Sequence, residues 1–66
     1  MTVTLNGAER ELPDGTPLLE LIAHLGLRPG SVVVERNGEA LPRSEMDRVV
    51  LADGDRLELV RAVAGG

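Results

Sequence analysis

The sequence predicts an α+β domain of two layers, one short helix laid across one face of a small sheet. Three observations predict it. Two Asn-Gly pairs, Asn6-Gly7 and Asn37-Gly38, each sit between short runs of strand-forming residues. Such a pair is the strongest short-range signal for a hairpin, because both turn residues must take positive φ. Only one segment has clear helical periodicity: Leu18, Leu21, Ile22 and Leu25 fall at i, i+3, i+4 and i+7. The run Arg56 to Val60 follows the turn residues Asp53-Gly54-Asp55 and alternates polar with apolar, as a strand with one buried face does.

Met1, Val3 and Leu5 share one side of a first strand, with Thr2 and Thr4 on the other. After the Asn6-Gly7 turn, Ala8 to Leu12 pairs back, which sets Leu5 opposite Ala8 and Val3 opposite Arg10. Cross-strand partners share a face. Arg10 therefore lands on the apolar side, its stem along the core and its head in water. Pro13-Asp14-Gly15 ends the hairpin. Thr16 reads as an N-cap and Pro17 as the first helical residue. Gly26 is placed to end the helix in the left-handed region, with Leu27 folding back and Pro29 blocking continuation. A helix of about nine residues is too short to stand alone and must pack on the sheet.

Ser31 to Arg36 is the third strand, with Val32 and Val34 on one face and Val33 and Glu35 on the other. Glu39 to Leu41 returns as a short edge strand that Pro42 stops. Arg43 to Arg48 is polar except for Met46, which reads as a single helical or 3₁₀ turn pinned by that methionine. Val49 to Leu51 adds a few extended residues. The final strand, apolar at Leu57, Leu59 and Val60, belongs at the centre of the sheet beside the first strand, where both of its edges are paired.

The bulk numbers exclude several functions. The chain has 66 residues, no cysteine, no aromatic residue and a net charge of −4. One domain fits that length. Without cysteine there is no disulfide and no thiolate metal site. Without aromatic rings there is no stacking platform for single-stranded nucleic acid, and the acidic balance opposes a phosphate-backbone partner. The opening Met1 to Asn6 lacks a basic start and a long apolar run, so neither a signal peptide nor a membrane span is expected, and the cytoplasm is the expected compartment. Asp53 and Asp55 lack the further oxygen ligands of a metal loop and read as turn residues. His24 reads as a surface residue of the last helical turn. With no partnered nucleophile, intrinsic catalysis and a bound metal are not expected. Arg56 and Arg61 read as solvated.

The end of the chain, Ala62-Val63-Ala64-Gly65-Gly66, is small throughout. It reads as a frayed end or as a reactive carboxylate; the residues alone leave both open. Two glycines without Cβ atoms can enter a channel that excludes other pairs. Residues 63–66 reach roughly 13–14 Å. The Gly66 carboxylate is ionised at neutral pH and a poor electrophile until ATP converts it to an acyl-adenylate. A sulfur nucleophile would then give a thiocarboxylate, and a lysine amine an isopeptide bond.

Four features occur in order along the whole chain: the opening strand with Asn6-Gly7, the segment Asn37-Gly38-Glu39-Ala40-Leu41-Pro42-Arg43-Ser44, the turn Leu51-Ala52-Asp53-Gly54-Asp55, and the terminal Gly65-Gly66. Together they resemble the small ubiquitin-like sulfur carriers, and within them the thiamine-biosynthesis (ThiS) family. The resemblance implies a single β-grasp domain over residues 1–66: a mixed sheet of four to five strands, first and last parallel at the centre, crossed by one helix, with a flexible tail from about residue 63. It implies a carrier rather than an enzyme, with no bound cofactor. A ubiquitin-activating-like adenylyltransferase would use ATP to activate Gly66. Sulfur from a cysteine-derived donor would make the thiocarboxylate, and thiazole synthase would receive it. Gly65, Ala64, Val63 and Ala62 would line the partner's channel. Val33 and Val60, facing away from the helix, would form an apolar patch for partners; scattered surface valines are the plain alternative. Relatives serving molybdopterin synthesis, tRNA thiolation or cysteine synthesis share these marks, as do protein modifiers, and a non-covalent binding module shares the fold. One departure is Met46, which stands where many family members carry an aromatic residue.

Overall fold

The computed structural model describes residues 1–62. Five strands form one sheet: β1 (Thr2–Leu5), β2 (Ala8–Glu11), β3 (Val32–Arg36), β4 (Glu39–Leu41) and β5 (Arg56–Arg61), in the order β2-β1-β5-β3-β4. Helix α1 (Leu18–His24) lies on one face. Strands β1 and β5 are parallel at the centre, and every other pairing is antiparallel. This is the β-grasp arrangement. The β1–β2 register sets Leu5 against Ala8 and Val3 against Arg10, as the Asn-Gly turn requires. Asn6 and Asn37 take φ of 48° and 53°, and the glycines after them 84° and 86°, the positive pairs that a two-residue hairpin needs. Arg10 is exposed on the edge strand, beside a groove that Leu12 and Leu21 also line.

The core is aliphatic. Leu18, Leu21 and Ile22 of α1 meet Leu5, Val32, Val34, Leu57 and Leu59 of the sheet, with Leu51 and Met46 closing one side. Each such side chain contributes about 1.5–3 kcal/mol by leaving water. Met46 sits in a 3₁₀ segment, Arg43–Arg48, and is 3% exposed, so it does pin that segment.

The helix start differs from expectation. Pro17, not Thr16, is the N-cap, with φ −69° and ψ 148°, and α1 spans seven residues rather than nine. Thr16 is buried instead. Its hydroxyl donates to the Pro13 carbonyl at 2.6 Å, and its own carbonyl accepts from the Leu51 N–H at 2.9 Å. The Leu18 N–H, which a cap would serve, donates to the Val49 carbonyl at 3.0 Å. A tertiary partner thus satisfies the helix end, and Thr16 is free to close the preceding turn. The other end behaves as expected. Gly26 has φ 75°, its N–H donates to Ala23, and the Leu27 N–H donates to Ile22, which is a Schellman motif.

Strand bounds also shift: β1 starts at Thr2 rather than Met1, and β5 runs on to Arg61. Strand β2 ends at Glu11, although the Leu12 N–H still donates to the Met1 carbonyl at 2.9 Å. Strand β3 starts at Val32, because Ser31 closes a 3₁₀ turn begun by Pro29 and bonds back to the Arg28 carbonyl.

Candidate functional site

The site expected from the sequence hangs from β5, so what holds β5 decides where the chain end emerges. Its entry is fixed by the Asp53-Gly54-Asp55 turn. Asp53 Oδ1 accepts from the Thr2 N–H at 2.7 Å, and the Gly54 N–H donates to the Thr2 carbonyl at 2.8 Å. Asp55 is 5% exposed. Its carboxylate accepts from the Ala52 N–H at 2.8 Å, from Arg36 Nε and Nη2 at 3.1 and 2.9 Å, and from Asn37 Nδ2 at 3.1 Å. Burial alone pushes the carboxyl upward. The Ala52 N–H, the Asn37 amide and the Arg36 guanidinium together outweigh it and hold the pKa below the ordinary 3.8.

The two hairpin asparagines then brace β5 from both sides. The Leu59 N–H donates to Asn6 Oδ1 at 2.8 Å, while Asn6 Nδ2 donates to the Leu59 carbonyl at 3.2 Å. The side-chain amide stands in for a peptide group and extends β1 beyond its turn. On the other side, the Arg56 N–H donates to Asn37 Oδ1 at 2.9 Å, and the Asn37 N–H donates to the Arg56 carbonyl at 2.8 Å. At the exit, the Ala62 N–H donates to the Ser31 carbonyl at 2.7 Å. Ala62 is exposed and held by its backbone to Ser31, the residue before β3. Val63, Ala64, Gly65 and Gly66 lie outside the described residues.

The sheet brings Val33 and Val60 together. They are direct cross-strand partners, 54% and 60% exposed, on the face that α1 leaves uncovered. Two residues along, on the same face, Glu35 stands opposite Glu58. His24 is mostly exposed, with Glu20 at 3.8 Å. Among the described residues no three His, Asp or Glu side chains gather as metal ligands, and no helix is long and apolar enough to cross a membrane.

The roles of Asp55 and Asn6 escaped the sequence reading, which gave both residues only turn chemistry. For Asn6 the turn signal itself masked the second role, since its partner Leu59 is 53 residues away. For Asp55, a carboxylate at the foot of a buried strand is a signal that could have been followed, since such a charge needs partners.

The sequence matches the family model described as the ThiS family over residues 3–66. It is 38% identical over 66 residues to the thiazole synthases of Paramagnetospirillum magneticum and Magnetococcus marinus, with all of this chain and 20% of each relative covered. The chain thus spans about a fifth of the length of the curated relatives it matches. The fold is similar to the crystal structure of a thiamine biosynthesis protein (ThiS) from Geobacter metallireducens, at a TM-score of 0.83 and 32% identity over all of both chains. The NMR solution structure of a thiamine biosynthesis protein from that organism gives 0.80 and 32%, over all of this chain and 88% of the other. A match that runs from β1 through the terminal glycines, together with the similar fold, has one meaning: the chain belongs to the ThiS family.

Proposed function

We propose that this chain is a sulfur carrier of thiamine biosynthesis, with sulfur borne on the carboxyl carbon of Gly66. The observation that carries the reading is the family match over residues 3–66, which includes the glycine pair. The geometry of β5 supports it. A strand paired on both edges, braced by Asn6 and Asn37 and tied at Ala62, gives the chain end a fixed point of departure. The carrier supplies the carboxylate and its presentation; a partner supplies the catalysis.

The chemistry follows from what a carboxylate needs. An adenylyltransferase directs a Gly66 oxygen to the α-phosphorus of ATP, and pyrophosphate leaves. The resulting acyl-adenylate is a mixed anhydride. Hydrosulfide released from a cysteine-derived donor attacks its carbonyl carbon, AMP leaves with the bonding pair, and loss of the S–H proton leaves a thiocarboxylate. Gly65, Ala64, Val63 and Ala62 are small enough to thread the partner's channel. The recipient is a thiazole synthase, since the curated relatives that contain a stretch like this chain bear that name. The same observation favours thiamine over the other sulfur pathways.

Intact mass tests the reading. The chain is incubated with ATP, a sulfur source and cell extract, and then treated with a thiol-directed alkylating agent. Sulfur in place of oxygen adds nearly the mass of one oxygen, so oxidised Met1 or Met46 would mimic it. Alkylation separates the two, because the chain has no cysteine. The expected result is one ATP-dependent adduct on Gly66, absent when Gly66 is deleted. No adduct in an extract that loads a known carrier sinks the reading.

A further inference from the structure

The uncovered face of the sheet carries a conflict that the fold does not need. Glu35 and Glu58 are direct cross-strand partners, and both are exposed. Like charges directly opposite each other destabilise a sheet. Neither carboxylate has a cation within 4.0 Å among the described residues. Arg36, next to Glu35 in sequence, is committed to Asp55. Thr4, Glu35, Arg56 and Glu58 line a hollow of about 260 Å³, in which Arg56 forms no ion pair within that distance. By register, Glu9 and Glu11 share this face through Thr4 and Thr2. Two residues along on the same face stands the exposed Val33–Val60 pair. An apolar pair beside two unrelieved carboxylates is a local inconsistency, and such inconsistencies mark functional surfaces.

We infer that this face is the docking surface for the thiazole synthase partner, an assignment that rests on the carrier reading above. The partner meets it with an aliphatic side chain over Val33 and Val60 and a guanidinium or ammonium group between Glu35 and Glu58. Charge complementarity selects that chemistry. The identity of the partner follows from the two thiazole synthases that contain a stretch 38% identical to this chain. Position supports the same assignment. Val60 precedes Gly66 by six residues, a reach of at most about 20–22 Å. Docking at Val60 therefore restricts where the carboxyl carbon can be delivered.

The test is calorimetric titration of the full chain with purified thiazole synthase, at low and high salt. The variants are Val60→Asp and the double variant Glu35→Lys/Glu58→Lys. All three side chains are exposed and the double variant keeps a like-charged pair, so thermal melts should match the wild type. Each variant should raise Kd at least fivefold. Wild-type binding should weaken as salt rises, and the double variant should lose or invert that dependence. A rise below fivefold in both variants, with normal melts, overturns the assignment. So does the outcome in which the wild type is loaded with sulfur and the variants lose only adenylyltransferase binding or self-association, with thiazole synthase binding unchanged. A wild-type chain that never acquires sulfur instead removes the carrier reading, and this inference falls with it.

Discussion

The two faces of the central sheet are made by the same strands and obey opposite rules. On the helix side, β5 presents Leu57 and Leu59 and β3 presents Val32 and Val34, all less than a tenth exposed. On the open side the intervening residues are Arg56, Glu58 and Val60, and Val33 and Glu35. One-residue alternation is all that separates them. The covered face is where the free energy of folding resides, so its chemistry is fixed by packing. The open face contributes little to stability, so its chemistry is available for recognition. The difference between the faces can therefore be read from what each tolerates.

The covered face should be the more sensitive to substitution. Leu57 is 1% exposed at the junction of β1, β5 and α1. Leu57→Ala should lose about 2–5 kcal/mol, through lost burial and the cavity left behind. A 66-residue domain has little margin for that. Urea unfolding should show a variant near or past its midpoint without denaturant. A loss below about 1 kcal/mol would mean that the helix does not seal this face.

The next effect belongs to Asp55, the charge buried at the boundary between the faces. Asp55→Ala removes four hydrogen bonds and leaves Arg36 without its partner, at a cost of about 2–3 kcal/mol. Its pH dependence has a definite sign. The folded carboxyl titrates below the ordinary 3.8, so the ionised form stabilises the fold. That contribution is complete above the unfolded value and is lost as pH falls through the lowered folded value. Urea midpoints of wild type and Asp55→Ala should differ by a constant amount near neutrality and converge below about pH 4. A gap that persists in strong acid would show that Asp55 acts by shape rather than by charge.

Much of this division was legible in the sequence, for a physical reason. Turn chemistry and periodicity are local, so Asn6-Gly7, Asn37-Gly38 and the Leu18 stripe reported the hairpins and the helix face directly. The central place of β5 followed from its apolar residues, and alternation set Val33 and Val60 facing away from the helix, while their direct pairing rests on the β3–β5 register. The helix start was misread because Thr16-Pro17 offers a local cap, while the structure satisfies the Leu18 N–H through Val49, a partner the local sequence does not show. The braces on β5 were missed for the same reason. An asparagine in a turn advertises its φ, and nothing nearby announces that its amide pairs with Leu59. The chemistry assigned to Gly66 came from resemblance, since a terminal glycine pair alone fits a frayed end equally well.

A single substitution made once on each face separates the two most directly. Val34 and Val60 are both β-branched residues in the interior of paired strands, 0% and 60% exposed. Threonine has nearly the same shape and strand preference, so Val→Thr changes little except one methyl group for a hydroxyl. At Val34 that hydroxyl is buried in the aliphatic core, opposite Leu59 on the neighbouring strand, and the cost should be about 1–3 kcal/mol. At Val60 water solvates it, and stability should move by less than about 0.5 kcal/mol. Thiazole synthase binding should respond the other way. Val60→Thr should weaken it, because a desolvated hydroxyl replaces an apolar contact, while folded Val34→Thr should bind like the wild type. Equal melting temperatures for the two variants would erase the distinction between the faces. Unequal melting with unchanged binding at Val60 would keep the distinction and move the docking surface elsewhere.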